Sequence, residues 1–261
     1  MSNLPAGWDP AQYLRFSQPR LRPALELLSR VQLEAPSVIY DLGCGTGAMT
    51  RLMAERWPQA QVTGVDASAE MLQVTGSARS NLHWQQQDIG TWRPASAPDL
   101  IFSNAALHWL TDHARLLGQL MSWLASRGVL AVQMPRNFSA ASHVAIGETV
   151  RDGPWRARLE PLLRDSPVAD PQWYLDLLSA HCEAVDVWQT QYFQILHGDN
   201  PVKEWTKGTW LVPLLAALPE QQRGPFEQAY AERVARAYPR RADGSTVFPF
   251  KRLFLVARRA L

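Results

Sequence analysis

A strand-like run, Val38-Ile39-Tyr40-Asp41-Leu42, opens directly into Gly43-Cys44-Gly45-Thr46-Gly47, and a helix-like run follows from Ala48 to Trp57 before Pro58 stops it. Glycines at alternate positions let the backbone turn through positive φ, and they leave no Cβ in the way of a ligand. Such a turn belongs at the carboxyl end of a parallel sheet, where open α/β sheets bind ligands. The chain keeps the same rhythm afterwards. Gln61 to Val65 reads as a second strand ending at Asp66, Leu82 to Gln86 as a third and Leu100 to Asn104 as a fourth. A helix from about His113 to Ala125 precedes a fifth strand, Gly128 to Met134. Strand and helix alternating in this way predict an α/β, Rossmann-like, mostly parallel sheet with helices on both faces.

Ahead of the first strand, Leu21, Ala24, Leu25 and Leu28 form an apolar helical stripe. Beyond residue 138 the alternation breaks. Two helical stretches interrupted by prolines surround a long strand, Val185 to Leu196, and a final strand runs from Lys251 to Ala257. The expectation is a single domain with a core of about 30–137, 181–197 and 247–261, and a helical cap from about 138–180 and 198–246. A length of 261 residues with 46% hydrophobic content suits one generous domain.

The glycines alone do not identify the ligand, because Gly43-x-Gly45-x-x-Ala48 also satisfies a dinucleotide fingerprint. The acids are more selective. Asp41 stands two residues ahead of Gly43, where a carboxylate repels pyrophosphate but suits an ammonium group. Asp66 ends the second strand, placed to accept two ribose hydroxyls, although alone it could be a helix cap. Asp88-Ile89 follows the third strand, where an acid can accept from an adenine amino group. Three acids and no basic residue in the loop point to a cationic, phosphate-free adenosine cofactor. Ser68 can cap the next helix, with Glu70 in its first turn.

These residues resemble the class I S-adenosylmethionine-dependent methyltransferases. Further motifs are similar to the trans-aconitate 2-methyltransferase family: Trp8-Asp9-Pro10-x-x-Tyr13-Leu14-x-Phe16, Asp99 to Ala105 with His108-Trp109, Gly128 to Pro135, and the ending Arg252 to Arg259. The resemblance covers nearly the whole chain and is weakest from about Phe138 to Val168. It implies a seven-stranded sheet whose last strand is antiparallel, with an inserted helical cap. It also implies monomethyl esterification of trans-aconitate, a planar tricarboxylate, with S-adenosylhomocysteine as co-product. Contacts to S-adenosyl-L-methionine are carried over to Asp41, Gly43, Cys44, Gly45, Asp66, Ala67, Ser68, Met71, Asp88, Ile89, Asn104 and Ala105. Tyr13 and Arg22 are assigned to covering the cofactor and meeting its carboxylate.

Three substrate carboxylates need fixed partners, and the planar fork of arginine suits them. Arg136, just past the fifth strand, and Arg252, on the last, are the candidate clamps. His108, Trp109, Trp155, Tyr192 and Trp205 are expected to complete the pocket, and His108 stands where family members often carry glutamine. No catalytic base is expected, because a carboxylate with a reference pKa near about 4 is already ionised. Cys44 is expected to be a small buried filler. Two cysteines form neither a disulfide framework nor a zinc site, and His108 and His113 lack companions for a metal. A net charge of +2 does not call for a nucleic-acid partner. No apolar run is long enough to span a membrane, and the first ten residues do not read as a signal peptide. These features make a cytoplasmic monomer or weak homodimer the expectation. Other readings are a methyltransferase for another small acid, amine or quinone-like ring, a nicotinamide dehydrogenase, and a non-catalytic sensor of the adenosine cofactor.

Overall fold

A computed structural model of the chain describes residues 17–73 and 79–261. Tyr13, assigned above to the cofactor, lies outside the described residues. In chain order the first part contains α1 (Ser17–Ser29), β1 (Val38–Leu42), α2 (Ala48–Arg56), β2 (Gln61–Asp66), α3 (Ala69–Gln73), β3 (Leu82–Gln86), β4 (Leu100–Asn104), α4 (His113–Trp123) and β5 (Val129–Pro135). The second part contains α5 (Ala141–Asp152), α6 (Arg156–Leu159), α7 (Pro171–Ser179), β6 (Ala184–Leu196), α8 (Pro201–Lys207), α9 (Val212–Ala217), α10 (Glu220–Ala237) and β7 (Thr246–Arg258).

The seven strands form one sheet in the order β3-β2-β1-β4-β5-β7-β6. β7 runs antiparallel to both β5 and β6, and the pairs among β1 to β5 are parallel. The alternation predicted the mostly parallel, Rossmann-like sheet, and the resemblance implied its seven strands with the last one antiparallel. β1 and β4 are neighbours, so the strand order reverses between them and a crevice opens at their carboxyl ends. The glycine loop leaves β1 at that point.

Each face of the sheet carries its own core. Tyr40, Leu42, Ile101, Leu130, Val132 and Leu255 pack with Leu117, Leu120, Tyr174 and Leu178 on one face. Ile39, Val62, Phe102, Ala131 and Phe254 pack with Ala24, Leu27, Leu28 and Met53 on the other. In α1 the expected stripe is rotated slightly, with Leu27 fully buried and Leu25 43% exposed. α7, grouped with the cap above, instead lays Tyr174 and Leu178 into the first core.

β7 begins five residues earlier than expected. Its outer half pairs with β6 up to Leu196↔Thr246, beyond the last β5 pair, Pro135↔Arg252. Pro249 obscured that extension in the sequence. It sits past the end of β5, where β7 has a neighbour on one side only and a missing N–H is tolerated. On this ribbon Leu196, Phe248 and Phe250 pack with Trp155, Leu159, Val202, Trp205, Phe226 and Tyr230. The helices α5, α6, α8, α9 and α10 thus share a third core, anchored to the sheet through β6 and β7. No helix among the described residues is long and apolar enough to cross a membrane.

Candidate functional site

The glycine loop is shaped by its own hydrogen bonds. Gly43, Gly45 and Gly47 take φ of 74, 54 and 75°. The Gly43 and Cys44 amides both donate to the Val65 carbonyl, at 2.8 and 3.1 Å, and the Gly47 amide donates to Cys44 O at 2.9 Å. The Gly45 amide donates to Asp66 Oδ2 at 2.8 Å. A phosphate cradle needs such amides free to face an anion, and here four of them are committed within the protein. That geometry rules against the dinucleotide reading of the glycines.

Gly43 and Gly45 serve different purposes. A Cβ on Gly43 would lie 2.1 Å from Ala106 Cβ, so this glycine lets the loop seat against the turn after β4. Among the described residues a Cβ on Gly45 would meet nothing within 4 Å, so none of them blocks a ligand's approach to the backbone there. Ala105 has a φ of 54°, a strained conformation for a residue with a Cβ. It presents the β4 end to the same crevice. The Asn104 side-chain oxygen is buried there without a hydrogen-bond partner among the described residues.

Two carboxylates flank the loop. Asp66 accepts from the amides of Gly45 and, at 2.9 Å, Ser68. Burial raises its pKa, against the lowering effect of those amides. Asp41 is 2% exposed and accepts from Thr50 Oγ1 at 2.7 Å. Burial pushes it up to about 7, opposed by Thr50 and reinforced by the charge of Asp66. Burial and the two acids push the Cys44 thiol far above its ordinary range, which leaves it protonated and inert. Ser68 caps α3, its Oγ accepting from the Met71 amide at 3.1 Å. Met71 and Ile89 are buried, and Asp88 accepts from the Gly90 amide at 2.8 Å.

A second pocket adjoins the β4 end. Asn104, Ala105, His108, Trp109, Trp205 and Arg252 line it, together with Thr206, Thr209, Trp210, Phe250 and His143. Arg252 is 3% exposed, stacks on Phe250 and donates to Gln133 Oε1 at 3.2 Å. His108 lies in the 3₁₀ turn Leu107–Trp109, and its Nδ1 is buried with no hydrogen-bond partner among the described residues. Burial first, then the positive charge of Arg252, holds its imidazole well below the usual histidine range. His108 is therefore neutral at physiological pH. Trp210 stacks on Trp109, with ring centroids 4.9 Å apart. Nothing local in the sequence marked Thr206, Thr209, Phe250 or His143, because their place follows from the packing of the helices.

Three of the expected substrate residues have other engagements. Arg136 donates to Ala169 O at 3.2 Å, to Gln189 Oε1 at 3.0 Å and to Asp170, so its fork ties the loop before α7 to the sheet. Tyr192 donates to Glu26 on α1, which also accepts from Thr190 and Trp188. Burial works to raise the Glu26 pKa, but these three donors and Arg22 hold it low. Arg22 lies over the Tyr192 ring, 4.9 Å from its centroid, in a side-chain cluster that pins α1 to β6. Trp155 belongs to the third core, with Nε1 donating to Thr149 O at 2.7 Å and its ring edge-on to Phe226. Replacing Trp155 with alanine is therefore expected to cost about 3–5 kcal/mol of stability, as for a large core aromatic. Denaturant unfolding measures this, and ligand affinities of the folded variant should be unchanged.

The residues from 13 to 186 match the family described as a methyltransferase domain. The trans-aconitate 2-methyltransferase of Azoarcus sp. (strain BH72) is 46% identical over 252 residues, covering 97% of this chain and 99% of that one. The protein of the same name from Agrobacterium fabrum is 42% identical, covering 96% and 98%. Among solved structures, a Haemonchus contortus phosphoethanolamine N-methyltransferase 2 in complex with S-adenosylhomocysteine is similar at a TM-score of 0.55 and 14% identity. That likeness covers 98% of this chain and 54% of the other, and it concerns the fold. With a loop that rejects phosphate and an end-to-end match to these relatives, the chain belongs to the trans-aconitate 2-methyltransferase family.

Proposed function

We propose that this protein transfers the methyl group of S-adenosyl-L-methionine to one carboxylate of trans-aconitate, giving the monomethyl ester and S-adenosylhomocysteine. The observation that carries this reading is the buried Arg252 guanidinium in a pocket that Asn104 and Ala105, at the β4 end of the cofactor crevice, also line. The names of the relatives supply the particular acid. The crevice fits the cofactor. Gly45 leaves room beside the backbone, Asp66 offers acceptors to ribose hydroxyls, Asp41 suits an ammonium group, and the buried Asn104 oxygen needs a donor. Ala67, Ser68, Met71, Asp88 and Ile89 complete its walls in this reading.

When bound, the cofactor supplies a methyl group activated by the adjoining sulfonium, ready for a carboxylate oxygen. An acid with a reference pKa near about 4 needs no base at neutral pH. Arg252 holds a carboxylate that is not methylated, and neutral His108 orients the substrate by a hydrogen bond. Trp109, Trp205 and the helical cap exclude water and fix the approach. Alignment of this kind can supply about 7–11 kcal/mol of the barrier. Trp155 and Tyr192 drop out of the substrate pocket in this account, and Arg136 lines the outer groove that adjoins it. The cap comprises most of 138–180 and 198–246, with α7 assigned to the core. We further take the enzyme to be cytoplasmic, a monomer or weak homodimer, with a free small-molecule substrate and neither a nucleic-acid nor a membrane partner.

Two pH dependences follow. Cofactor affinity should fall below pH 7, because Asp41, pushed up to about 7 by burial, becomes protonated and no longer attracts an ammonium group. Calorimetry with S-adenosylhomocysteine should show up to about a tenfold loss per pH unit there, and Asp41→Asn should bind weakly at every pH. With both substrates saturating, the single-turnover rate should stay flat from about pH 6 to 9. Burial and the Arg252 charge lower the His108 pKa and so favour its neutral form in that window. A steep rise with pH would indicate a general base. The substrate itself is tested with labelled cofactor against trans-aconitate, cis-aconitate, citrate, isocitrate and itaconate. Trans-aconitate should be preferred, and cofactor binding without transfer to any of these acids would defeat the proposal.

A further inference from the structure

We propose that His143, carried by α5, is a substrate-binding residue whose imidazole holds a second carboxylate of the acid that Arg252 holds by its first. The inference rests on the proposed function and assigns a specificity role within that pocket.

His143 lines the inner pocket with Arg252 and His108, and it also lines the broad groove outside, bordered by Arg164 and Lys251. Only Trp109, His143 and Trp210 belong to both cavities among the described residues. Trp210 stands between the two histidines, 6.2 Å from His108 and 5.5 Å from His143 by ring centroids. The two imidazoles therefore face the pocket from different bodies of structure, His108 from the sheet and His143 from the helices over it. Arg252, His108 and His143 thus line one pocket, in which an acid gripped by Arg252 can present a second carboxylate to His143.

The imidazole is prepared for a donor role. Ser142 Oγ lies 3.2 Å from His143 Nδ1. With that hydroxyl donating, the ring proton sits on Nε2. The ring is braced edge-on by Phe138, with centroids 5.5 Å apart, and by Trp210. Burial lowers its pKa to about 4, so it enters the encounter neutral. A neutral N–H can grip a carboxylate without drawing a counter-ion into the empty pocket. The aromatic bracing limits its rotamers, so one distance between bound carboxylates is favoured.

The alternative is that His143 merely fills the aromatic cluster. His143→Phe keeps the ring and its packing and removes the donor. His143→Gln places an amide nitrogen near the position of Nε2. Steady-state rates with trans-aconitate and S-adenosyl-L-methionine, together with calorimetric affinity for S-adenosylhomocysteine, separate the possibilities. His143→Phe should raise the KM for trans-aconitate by about tenfold or more, with kcat and cofactor affinity little changed. His143→Gln should recover most of that loss. A KM unchanged in His143→Phe overturns the inference, as does an equal rise in both variants or a loss of cofactor affinity in both. A wild-type protein that methylates no tricarboxylate overturns the proposed function itself, and this inference with it.

Discussion

Replacing Arg252 with methionine is expected to lower kcat/KM for trans-aconitate by a factor of about 10² to 10³, the usual consequence of removing one partner of a buried charge pair. Affinity for S-adenosylhomocysteine should stay as in the wild type. The guanidinium is 3% exposed and rests on Phe250, so a methionine of similar length preserves the packing. The buried Gln133 Oε1 loses its donor in this variant, so a modest loss of stability is expected beside the kinetic effect. Steady-state kinetics and thermal unfolding measure the two effects. Arg136→Leu is the informative contrast. Its fork is bound to Ala169, Asp170 and Gln189, so stability should fall while the KM is maintained. A wild-type kcat/KM in Arg252→Met would move the clamp elsewhere.

The other large effect is expected at the cofactor loop. Asp66→Ala should weaken S-adenosylhomocysteine by about a hundredfold or more. Hydrogen bonds to a charged group are worth about 1.5–3 kcal/mol, and the same carboxylate also holds the Gly45 and Ser68 amides in place. Gly45→Val should abolish measurable binding. The added Cβ meets none of the described residues within 4 Å, yet the backbone must keep a φ of 54°, which a β-branched residue resists. Gly43→Val should behave differently and fail to fold normally, since its Cβ would meet Ala106 Cβ at 2.1 Å. Calorimetry for the first two and circular dichroism for the third distinguish a blocked crevice from a broken fold. Full affinity in a folded Gly45→Val would mean that the cofactor binds elsewhere.

The geometry of the proposed cofactor half of the candidate site was legible because it is local. Asp41, Gly43, Gly45 and Asp66 lie at strand ends, and a strand end is marked by the residues beside it. The alternation of strands and helices likewise fixed the sheet without any long-range information. The substrate half was legible only in part. His108, Trp109, Trp205 and Arg252 do meet in one pocket, although they are spread over 145 positions of sequence. Arg136 looked equivalent to Arg252, one residue past a strand and rich in donors. What separates them is register. Arg252 pairs with Pro135 and is buried at the pocket, whereas Arg136 reaches the loop before α7. Trp155 and Trp205 were indistinguishable for the same reason, since both lie among helices whose packing depends on the β6–β7 ribbon. The length of that ribbon was hidden by Pro249, and with it the neighbours of His143 and Trp210.

The central claim is that a carboxylate oxygen, and no other atom, receives the methyl group. Its most direct measurement is the chemical nature of the product formed from trans-aconitate and methyl-labelled cofactor. The expected result is one methyl per molecule of acid, matched by one S-adenosylhomocysteine, with the label released as methanol by mild alkali as an ester requires. A label that resists alkali, or S-adenosylhomocysteine formed without a methylated acid, would contradict it.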